Sequence, residues 1–554
     1  MPASESGVAM SATRYQDFSA GFSAAAIEAQ LAGRLEGGVN ACVECCDRHV
    51  QPGRVALVWE NKDAQRARVT FARLKERSAQ LANFLRARGV RPGDRVAGLL
   101  PRIPELLVVA LGTWRAGAVY QPLFTAFGPK AIEHRIESSE ARLIFTNREN
   151  RHKLADVAGC PPVVVVDEDD FPAELERQSA MFEPVPLRGA DPFLMMFTSG
   201  TTGPAKGVLV PLKALLSFLV YTRWALDLRD DDVYWNIADA GWAYGLYYAV
   251  IGPLLLGHAT TLYDGPFTAD STYHMIRKYG VTNLAGAPTA FRLLIAAGEQ
   301  AARPIKGRLR VVSSAGETLN PEVIRWFAQT LDCPIHDHYG QTEVGMVLCN
   351  HHGLAHPVHP GSAGLAMPGF MLAVVDDDGR ELPAGTPGIL AVDRERSSLF
   401  WFSGYWRQPT TNWIGAYHLT GDTVEQNADG TISFVGRSDD IITSSGYRIG
   451  PYDVESALIE HPGVAEVAVV GKPDPQRTEL VKAFVVLRPG IEPTPGLAEE
   501  LQALVKTRLA AHAYPREIEF VADIPKTPSG KIQRFILRNQ EAEKAKTAQA
   551  DHSQ

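Results

Sequence analysis

The segment from Phe197 to Gly207 reads FTSGTTGPAKG and carries the residue types that bind phosphate. Its glycines let backbone N–H groups approach phosphate oxygens, its hydroxyls add donors, and Lys206 adds a compensating charge. A glycine-rich loop between two apolar runs costs chain entropy, which a bound ligand would offset. The segment therefore predicts a site for nucleotide phosphates; an ordinary loop is the alternative.

The Walker loop, G-x-x-x-x-G-K-[ST], is the best-known phosphate loop of similar composition. Counted from Gly200, that pattern needs glycine at 205, lysine at 206 and serine or threonine at 207. The sequence has Ala205, Lys206 and Gly207 instead, and so departs from the pattern at two defining positions.

Three further polar segments follow along the chain: HDHYGQTEVG, the stretch from HLTGD to GRSDD, and IPKTPSGKIQR. With the glycine-rich loop, they resemble the adenylate-forming superfamily of acyl-CoA synthetases, nonribosomal-peptide adenylation domains and luciferases. The resemblance covers nearly the whole chain, with the motifs in family order. In GWAYGLYYAVIGPLLLG and SGYRIGPYDVESAL it is closest to the acetyl-CoA and medium-chain acyl-CoA synthetases.

The resemblance implies a two-step reaction with ATP, Mg²⁺ and CoA. A carboxylate attacks the α-phosphate to give acyl-AMP and pyrophosphate, and a thiol then displaces AMP. The first step needs charge neutralisation and in-line positioning more than a protein nucleophile. The expected partners are thus a small carboxylic acid, ATP and CoA, and the chain is expected to act as a monomer or homo-oligomer.

The resemblance also assigns the nucleotide site residue by residue. The loop would hold the β- and γ-phosphates through Thr198, Ser199, Gly200, Thr201, Thr202, Gly203 and Lys206. Two later segments would line the AMP moiety, namely Gly316, Glu317 and Thr318, and Asp337, His338, Tyr339, Gly340, Gln341 and Thr342. Tyr339 would offer an aromatic face to adenine, with an ordinary buried tyrosine as the alternative.

Charged residues of the motifs receive individual roles in the same way. Thr342 would position the α-phosphate, and Glu343 would bind Mg²⁺, which favours oxygen ligands. Asp422 would accept hydrogen bonds from the ribose hydroxyls, and Arg437 would bind the same ribose or a nearby phosphate. Lys531 would stabilise the charge that builds up during adenylation.

The second step is expected to use another face of the C-terminal domain, which rotates in this family. The resemblance places the hinge at Asp439 and assigns CoA contacts to Gly446, Tyr447 and Arg448. An ordinary surface arginine is the alternative for Arg448.

The acyl pocket is expected to involve Trp242, Ala243, Tyr244, Ala315 and Gly340. Acetate-specific relatives carry a tryptophan where this chain has Gly340, and each additional buried CH₂ contributes about 0.8 kcal/mol. We therefore expect an acid of the propionate-to-hexanoate class, with branched and aromatic acids as alternatives. Tyr244 would refill part of the space, and Trp242 could equally be a core residue.

The elements that must position these residues alternate between helical patterns and short apolar strands, as in TFARLKERSAQLANFLRARG and DRVAGLL. This alternation predicts α/β architecture with two parallel-type subdomains. Short strands with Gly/Asp turns from about residue 370 predict a β-rich subdomain, and a small mobile α+β domain follows. The expected domains are 1–436, a hinge at 437–440, and 441–540, with a disordered tail at 541–554.

The composition is typical of a globular protein, with 554 residues, 45% of them hydrophobic, and a formal charge of −8. The acidic balance argues against a nucleic-acid surface. We expect a cytoplasmic protein, because the N-terminal residues lack the pattern of a signal peptide and the apolar run from Leu246 to Tyr263 is interrupted. Cys42, Cys45 and Cys46 fit one helix face better than a zinc site.

The leading hypothesis is an AMP-forming acyl-CoA synthetase. A stand-alone adenylation enzyme that loads a carrier protein is the nearest rival, although no carrier region is apparent at either end of the sequence. The motifs are also compatible with an aryl-acid CoA ligase and with a non-catalytic nucleotide-binding protein.

Overall fold

The structure is a computed structural model that describes residues 13–168, 170–198, 205–437, 440–444, 447–474, 477–509, 513–526 and 531–551. Side chains are described for these residues except 447, 448 and 546–551.

The strands alternate with helices in the first two thirds of the chain and follow one another closely afterwards. In chain order they are β1 Val55–Asn61, β2 Arg66–Thr70, β3 Arg95–Leu99, β4 Val119–Pro122, β5 Leu143–Thr146, β6 Val163–Val165, β7 Pro192–Phe197, β8 Gly207–Pro211, β9 Tyr234–Asn236, β10 Thr260–Asp264, β11 Asn283–Gly286, β12 Val311–Ala315, β13 Ile335–Gln341, β14 Gly345–Cys349, β15 Ser362–Ala366, β16 Leu372–Val375, β17 Gly388–Asp393, β18 Trp413–Ile414, β19 Tyr417–Gln426, β20 Ile432–Arg437, β21 Ile442–Ser444, β22 Tyr447–Ile449, β23 Val464–Asp474, β24 Thr478–Leu487 and β25 Glu517–Phe520.

The α-helices cover the sheets and fill the connections between parallel strands. They are α1 Tyr15–Ala20, α2 Ala24–Glu28, α3 Ala41–Cys45, α4 Phe71–Ala87, α5 Pro104–Arg115, α6 Pro129–Ser139, α7 Arg148–Arg151, α8 Asp170–Glu176, α9 Ala214–Val220, α10 Ala243–Gly245, α11 Gly252–Leu255, α12 Ala269–Tyr279, α13 Pro288–Ala296, α14 Glu299–Ala302, α15 Pro321–Leu331, α16 Pro451–Leu458, α17 Pro495–Arg508 and α18 Arg534–Asp551. Short π-helices occupy Tyr221–Ala225 and Leu246–Ile251, and 3₁₀ turns occupy Asp47–His49, His152–Leu154 and Arg303–Ile305.

Two sheets carry most of the parallel strands that the structure describes. One has the order β6-β5-β3-β4-β7-β8, parallel except for the antiparallel β7–β8 pair. The other contains the parallel series β1-β10-β9-β11-β12-β13. Strands such as β5 and β11 are buried along their whole length, as expected for parallel strands covered on both faces.

The β-rich part is continuous with the second sheet. Antiparallel pairing extends from β13 through β14, β15 and β20 to β19, β17 and β16. One hydrogen-bonded path therefore joins the carboxyl end of β13 to β19 and β20, which brings distant motifs of the sequence to neighbouring strands. The predicted fold class, two parallel-type subdomains with a β-rich part and a small α+β domain, is confirmed.

The C-terminal unit is built on the order β22-β21-β24-β23, with β25 parallel to β24. Helices α16 and α17 pack on one face through a core that includes Val454, Leu458, Leu501 and Val505.

The last helix differs from the sequence expectation of a disordered tail from residue 541. Helix α18 continues to Asp551, and its Glu541 is fully buried. The Glu541 carboxylate pairs with Lys482 at 2.9 Å and with Lys544 at 2.6 Å. The charged residues of this segment thus form ion pairs on a helix. Composition alone does not distinguish such a helix from a disordered segment.

The interrupted apolar run from Leu246 is interior: the π-helix, α11 and the first part of β10 are buried. No helix among the described residues is both long and apolar enough to cross a membrane. Cys42, Cys45 and Cys46 are buried free thiols in and just after α3.

Candidate active site

The motif residues gather where the parallel strands end. Strand β12 ends at Ala315, the first residue of the AGET segment (residues 315–318), while β13 ends at Gln341 and leads into Thr342 and Glu343. Ligand sites of open α/β sheets typically lie outside the carboxyl ends of the strands. The position of these segments in the fold therefore marks this edge as the candidate site.

The predicted phosphate loop connects the paired strands β7 and β8. Phe197 pairs with Gly207, and just beyond them Thr198 N donates to Lys206 O at 3.0 Å. Lys206 N in turn donates to Thr198 Oγ1 at 3.0 Å. This closed base holds both ends of the loop, whereas Ser199, Gly200, Thr201, Thr202 and Gly203 lie outside the described residues.

Asp422, Arg437, Tyr339 and Gln341 form a hydrogen-bonded group that we call the polar corner. Asp422 and Arg437 are register partners on β19 and β20, with Asp422 Oδ1 3.1 Å from Arg437 Nη1. Asp422 Oδ2 accepts hydrogen bonds from Tyr339 OH and, at 3.1 Å, from Gln341 Nε2. The structure thus brings together residues separated by about 80 positions in the sequence.

The polar corner holds a carboxylate that has little contact with water. Asp422 is 4% exposed, and this burial raises its pKa, while the charge of Arg437 acts in the opposite direction. Burial and the neighbouring Asp422 carboxylate also raise the pKa of Tyr339 well above its usual value. The tyrosine is therefore a hydrogen-bond donor to Asp422, which fixes both side chains at the end of β13.

Glu343 lies in the turn after β13 and is 9% exposed. Its Oε1 accepts a hydrogen bond of 2.8 Å from Tyr405 OH. Burial raises the pKa of this carboxyl, and the hydrogen bond from Tyr405 opposes the rise. The same turn is anchored from the opposite side, because Tyr247 OH donates to Thr342 O at 3.1 Å.

The AGET segment presents backbone at one side of the site. Gly316 has a φ of +98°, and a Cβ added there would meet no atom within 4 Å, so the residue borders open space in a conformation that favours glycine. Glu317 accepts hydrogen bonds from Thr289 Oγ1 at 2.7 Å and Arg292 Nη2 at 3.1 Å. The chain then enters α15, whose N-cap Asn320 accepts from Glu322 N at 2.8 Å.

Asp337 and His338 precede this corner on β13 and point their side chains into buried surroundings. Asp337 Oδ2 accepts from Leu319 N at 3.1 Å, and burial raises the pKa of the carboxyl to about 8. Its Oδ1 is buried and has no hydrogen-bond partner among the described residues. A buried polar atom without a partner fits a hydrogen-bonding group of a ligand.

His338 lies 2.8 Å from Tyr221 OH through Nδ1 and 3.1 Å from Asn350 O through Nε2. Burial lowers its pKa well below the usual value, so the imidazole is neutral. Its contacts are with the core, and only its backbone belongs to the segment that borders the site.

Lys531 enters the site from the C-terminal unit. It interacts electrostatically with the carboxylates of Glu317, Asp422 and Glu343 and with Arg437. Burial lowers the pKa of its ammonium, and Glu317 and Asp422 oppose this effect. A lysine far along the sequence thus completes a group of charges that lie on β19 and β20 and in the segments that follow β12 and β13.

Direct contacts join the C-terminal unit to the N-terminal part of the chain. Tyr452 OH, on α16, donates to Leu319 O at 2.8 Å. Arg325, on α15, lies 3.5 Å from Glu460, which follows α16. Leu319 directly follows the AGET segment, and Arg325 lies on α15. Both contacts therefore join the C-terminal unit to the part of the chain that follows the AGET segment.

The predicted acyl residues fall into two groups. Ala243 and Tyr244 pack against the main core, and Ala315 is buried within it. Tyr244 OH lies 3.4 Å from Tyr221 OH, and its ring centroid is 5.7 Å from that of Tyr248. We call Tyr221, Tyr244 and Tyr248 the tyrosine wall. Both π-helices contribute to it or adjoin it, and such helices are frequent at functional sites.

Trp242 packs elsewhere, in a cluster with Phe124 and Phe127, whose ring centroids lie 5.4 Å from its own. These are contacts of a core side chain, which is the alternative that the sequence left open for this residue.

The surroundings of Gly340 were not foreseen. A Cβ at this position would lie 2.2 Å from Gly345 O and 2.7 Å from Met346 Cα. That backbone is held by Tyr248 OH, which accepts from Met346 N at 3.0 Å. The space beside Gly340 is therefore filled by β14, and the missing side chain does not by itself create an open volume.

The residues predicted to contact CoA are described only in part. Tyr447 and Arg448 lie on β22 and pair with Ser444 and Thr443 of β21. Gly446 and the hinge residue Asp439 lie outside the described residues.

Three tyrosines at the site were not predicted as site residues: Tyr247, Tyr405 and Tyr452. Tyr247 and Tyr452 lie within the segments GWAYGLYYAVIGPLLLG and SGYRIGPYDVESAL that carry the resemblance, which was the signal available for them. The segment around Tyr405, SGYWRQPTT, combines a glycine with exposed-type polar residues and two aromatics, which was the available hint.

The fold and the arrangement of these residues define the class of two-unit adenylate-forming enzymes. Residues 46–406 match the AMP-binding enzyme family, and residues 453–531 match the AMP-binding enzyme C-terminal domain.

Known proteins similar to this chain carry related names. The acetyl-coenzyme A synthetase of Bacillus subtilis is 40% identical over 523 residues, which cover 91% of this chain and 90% of that protein. A crystal structure of the Brucella canis acyl-CoA synthetase is 59% identical with a TM-score of 0.79, covering 96% of this chain and 100% of that one. The anthranilate CoA ligase AuaEII, solved with anthranoyl-AMP, is 27% identical with a TM-score of 0.83, covering 91% and 97%.

The chain therefore belongs to the AMP-binding enzyme family and is an acid–thiol ligase, an AMP-forming acyl-CoA synthetase.

Proposed function

We propose that this synthetase activates a short- or medium-chain carboxylic acid larger than acetate as its acyl-adenylate and transfers the acyl group to CoA. The observation that carries the adenylation part of the proposal is the electrostatic interaction of Lys531 with Glu317, Asp422, Glu343 and Arg437. We infer from these interactions that its ammonium approaches the α-phosphate of a nucleotide bound at the polar corner.

Each charged group then has a distinct task in the first step. Asp422 accepts hydrogen bonds from the ribose hydroxyls, since an ionised carboxylate is acceptor-only. Arg437 and Lys531 neutralise the charge that develops as the substrate carboxylate attacks the α-phosphate. The loop closed by Thr198 and Lys206 holds the pyrophosphate that leaves.

The site has a suitable ligand for Mg²⁺ in Glu343. The carboxylate is buried, and its Oε1 is fixed by Tyr405. Mg²⁺ in nucleotide sites commonly uses one or two carboxylates together with substrate phosphates and water. The ion would supply charge neutralisation at the phosphates, and Glu343 would fix its position beside the nucleotide.

The size of the acid is inferred from the small residues of the predicted acyl pocket, Ala243 and Ala315. A pocket bordered by small residues accommodates additional methylene groups. The tyrosine wall limits this space, because Tyr244 is held by Tyr221 and Tyr248. We therefore expect acids from propionate to hexanoate to be preferred over acetate.

The test is a series of acetate, propionate, butyrate, hexanoate and benzoate, with AMP release and acyl-CoA formation measured for each acid. The expected result is the highest kcat/KM between propionate and hexanoate. A maximum at acetate or benzoate would contradict the proposed acid class.

A parallel assay offers CoA and a carrier-protein thiol to the same enzyme. We expect the thioester to form on CoA, and formation only on the carrier would overturn CoA as the acceptor. The nucleotide released from ATP is a further check, since release of ADP in place of AMP would exclude an acyl-adenylate.

A further inference from the structure

Tyr405 lies at the junction of the phosphate loop and the turn that carries Glu343. It forms an isolated antiparallel bridge with Val208, the second residue of β8. The backbone N–H of the next residue, Trp406, donates to Gly207 O at 2.8 Å. Residues 405–406 therefore extend the pairing of β8 at the point where the phosphate loop returns to the sheet.

The side chain of Tyr405 reaches both charged partners of this junction. Its hydroxyl donates to Glu343 Oε1 at 2.8 Å, and Lys206 Nζ lies 4.6 Å from its ring centroid. A triphosphate held by the loop and a cation bound to Glu343 would thus meet beside this ring. Tyr405 therefore contacts both the carboxylate of Glu343 and the lysine at the end of the loop.

Tyr405 is itself held firmly. Its backbone N–H donates to Thr410 Oγ1 at 3.0 Å, and its ring packs edge-on against the buried Phe402 at 5.2 Å. A donor fixed in this way restricts the rotation of the carboxylate that accepts from it. With Oε1 engaged, the other oxygen of Glu343 has a defined direction.

We propose that Tyr405 is a positioning residue that orients the Glu343 carboxylate for a divalent cation bound with ATP. This inference rests on the proposed role of Glu343 as the metal ligand. Partners that orient a metal ligand typically change metal affinity by about 10- to 100-fold when they are removed. Loss of the hydroxyl should therefore weaken cation binding while leaving the ring and its packing in place.

The experiment compares Tyr405→Phe with Tyr417→Phe. Tyr417 is a matched control, because its hydroxyl donates to Glu381 Oε1 at 2.5 Å outside the site. The affinity for Mn²⁺ is measured by electron paramagnetic resonance in the presence of a non-hydrolysable ATP analogue. We expect about 10-fold weaker binding in Tyr405→Phe and unchanged binding in Tyr417→Phe.

A second readout separates positioning from a general structural defect. In Tyr405→Phe, the Mg²⁺ concentration for half-maximal ATP–pyrophosphate exchange should rise about 10-fold, while saturating Mg²⁺ restores most of the rate. Wild-type Mn²⁺ affinity in Tyr405→Phe would overturn the inference, as would a loss of rate that Mg²⁺ does not restore.

Glu343→Gln distinguishes failure of this inference from failure of the proposed function. If Glu343→Gln weakens Mn²⁺ binding and Tyr405→Phe does not, only the role of Tyr405 is wrong. If Glu343→Gln leaves Mn²⁺ binding unchanged, the proposed metal role of Glu343 is wrong, and the role of Tyr405 with it.

Discussion

The polar corner and the tyrosine wall border the same end of β13 but are held by different forces. In the polar corner, Asp422 gathers Tyr339, Gln341 and Arg437 through hydrogen bonds and an ion pair. In the tyrosine wall, the rings pack on one another, and no charged group takes part in the hydroxyl contacts described for it, which join Tyr221 to Tyr244 and to His338, and Tyr248 to Met346 N.

This difference has a consequence for function. A buried carboxylate must be compensated by specific partners, so the polar corner admits few alternative arrangements. A packed wall tolerates exchanges of similar volume, and its shape depends on backbone positions as much as on side chains. We infer that the nucleotide chemistry is fixed by the first region and the choice of acid by the second.

The largest expected effect comes from removing the charge that the C-terminal unit adds to the polar corner. Lys531→Ala should reduce ATP–pyrophosphate exchange by roughly 10²- to 10³-fold, because one preorganised donor to the developing charge is lost. Thioester formation from preformed acyl-AMP should be largely retained, since that step does not need the lysine at the α-phosphate.

Lys526→Ala is the control for Lys531→Ala. Lys526 lies close to Lys531 in the sequence, but it pairs with Glu466 at 2.5 Å, away from the charges of the site. Exchange in this variant should be close to that of the wild type. Normal exchange in Lys531→Ala would refute the assignment of the lysine.

A smaller effect is expected at the edge of the tyrosine wall. In Gly340→Ala, the new methyl group would meet Gly345 O, so β14 must shift, at a cost of about 1–3 kcal/mol in the free energy of unfolding. Urea denaturation measures this loss. Gly37→Ala is the matched control, because a Cβ there meets no atom within 4 Å, and an equal stability of the two variants would contradict the packing at Gly340.

The last expected effect concerns the pH dependence of stability. Burial raises the pKa of Asp337 from 3.8 to about 8, so the folded protein keeps a proton that the unfolded chain loses in this interval. The contribution of this carboxyl to the free energy of unfolding therefore falls as the pH rises from about 4 to about 8.

Asp337→Asn removes this titration with little change of shape. The stability of the variant relative to the wild type should rise between pH 5 and pH 8, as measured by denaturation without nucleotide. A difference that is constant over this range would show that Asp337 does not bind its proton in the folded state as described.

The sequence predicted much of the polar corner because its residues are charged and lie in ordered motifs. Asp422, Arg437 and Lys531 were assigned by resemblance, and the structure brings them into one group. The alternating strands and helices also sufficed for the fold class. What the sequence could not supply was the pairing of β13 through β20, which puts Tyr339 beside Asp422.

The wall was much less accessible to sequence reasoning. Replacement of an indole by glycine suggested free space at residue 340, yet the backbone of Gly345 and Met346 lies there. Trp242 was grouped with Tyr244 because they are close in sequence, but its ring belongs to another core cluster. Tyrosines such as Tyr405 act through single hydroxyl contacts, which leave no pattern in the sequence.

The most direct test of the acyl-adenylate mechanism is ATP–pyrophosphate exchange by the wild-type enzyme in the absence of CoA. We predict that labelled pyrophosphate enters ATP only when a suitable carboxylic acid is present, because reversal of the first step requires acyl-AMP. Exchange without any acid, or exchange that appears only after CoA is added, would contradict formation of the acyl-adenylate as a separate first step.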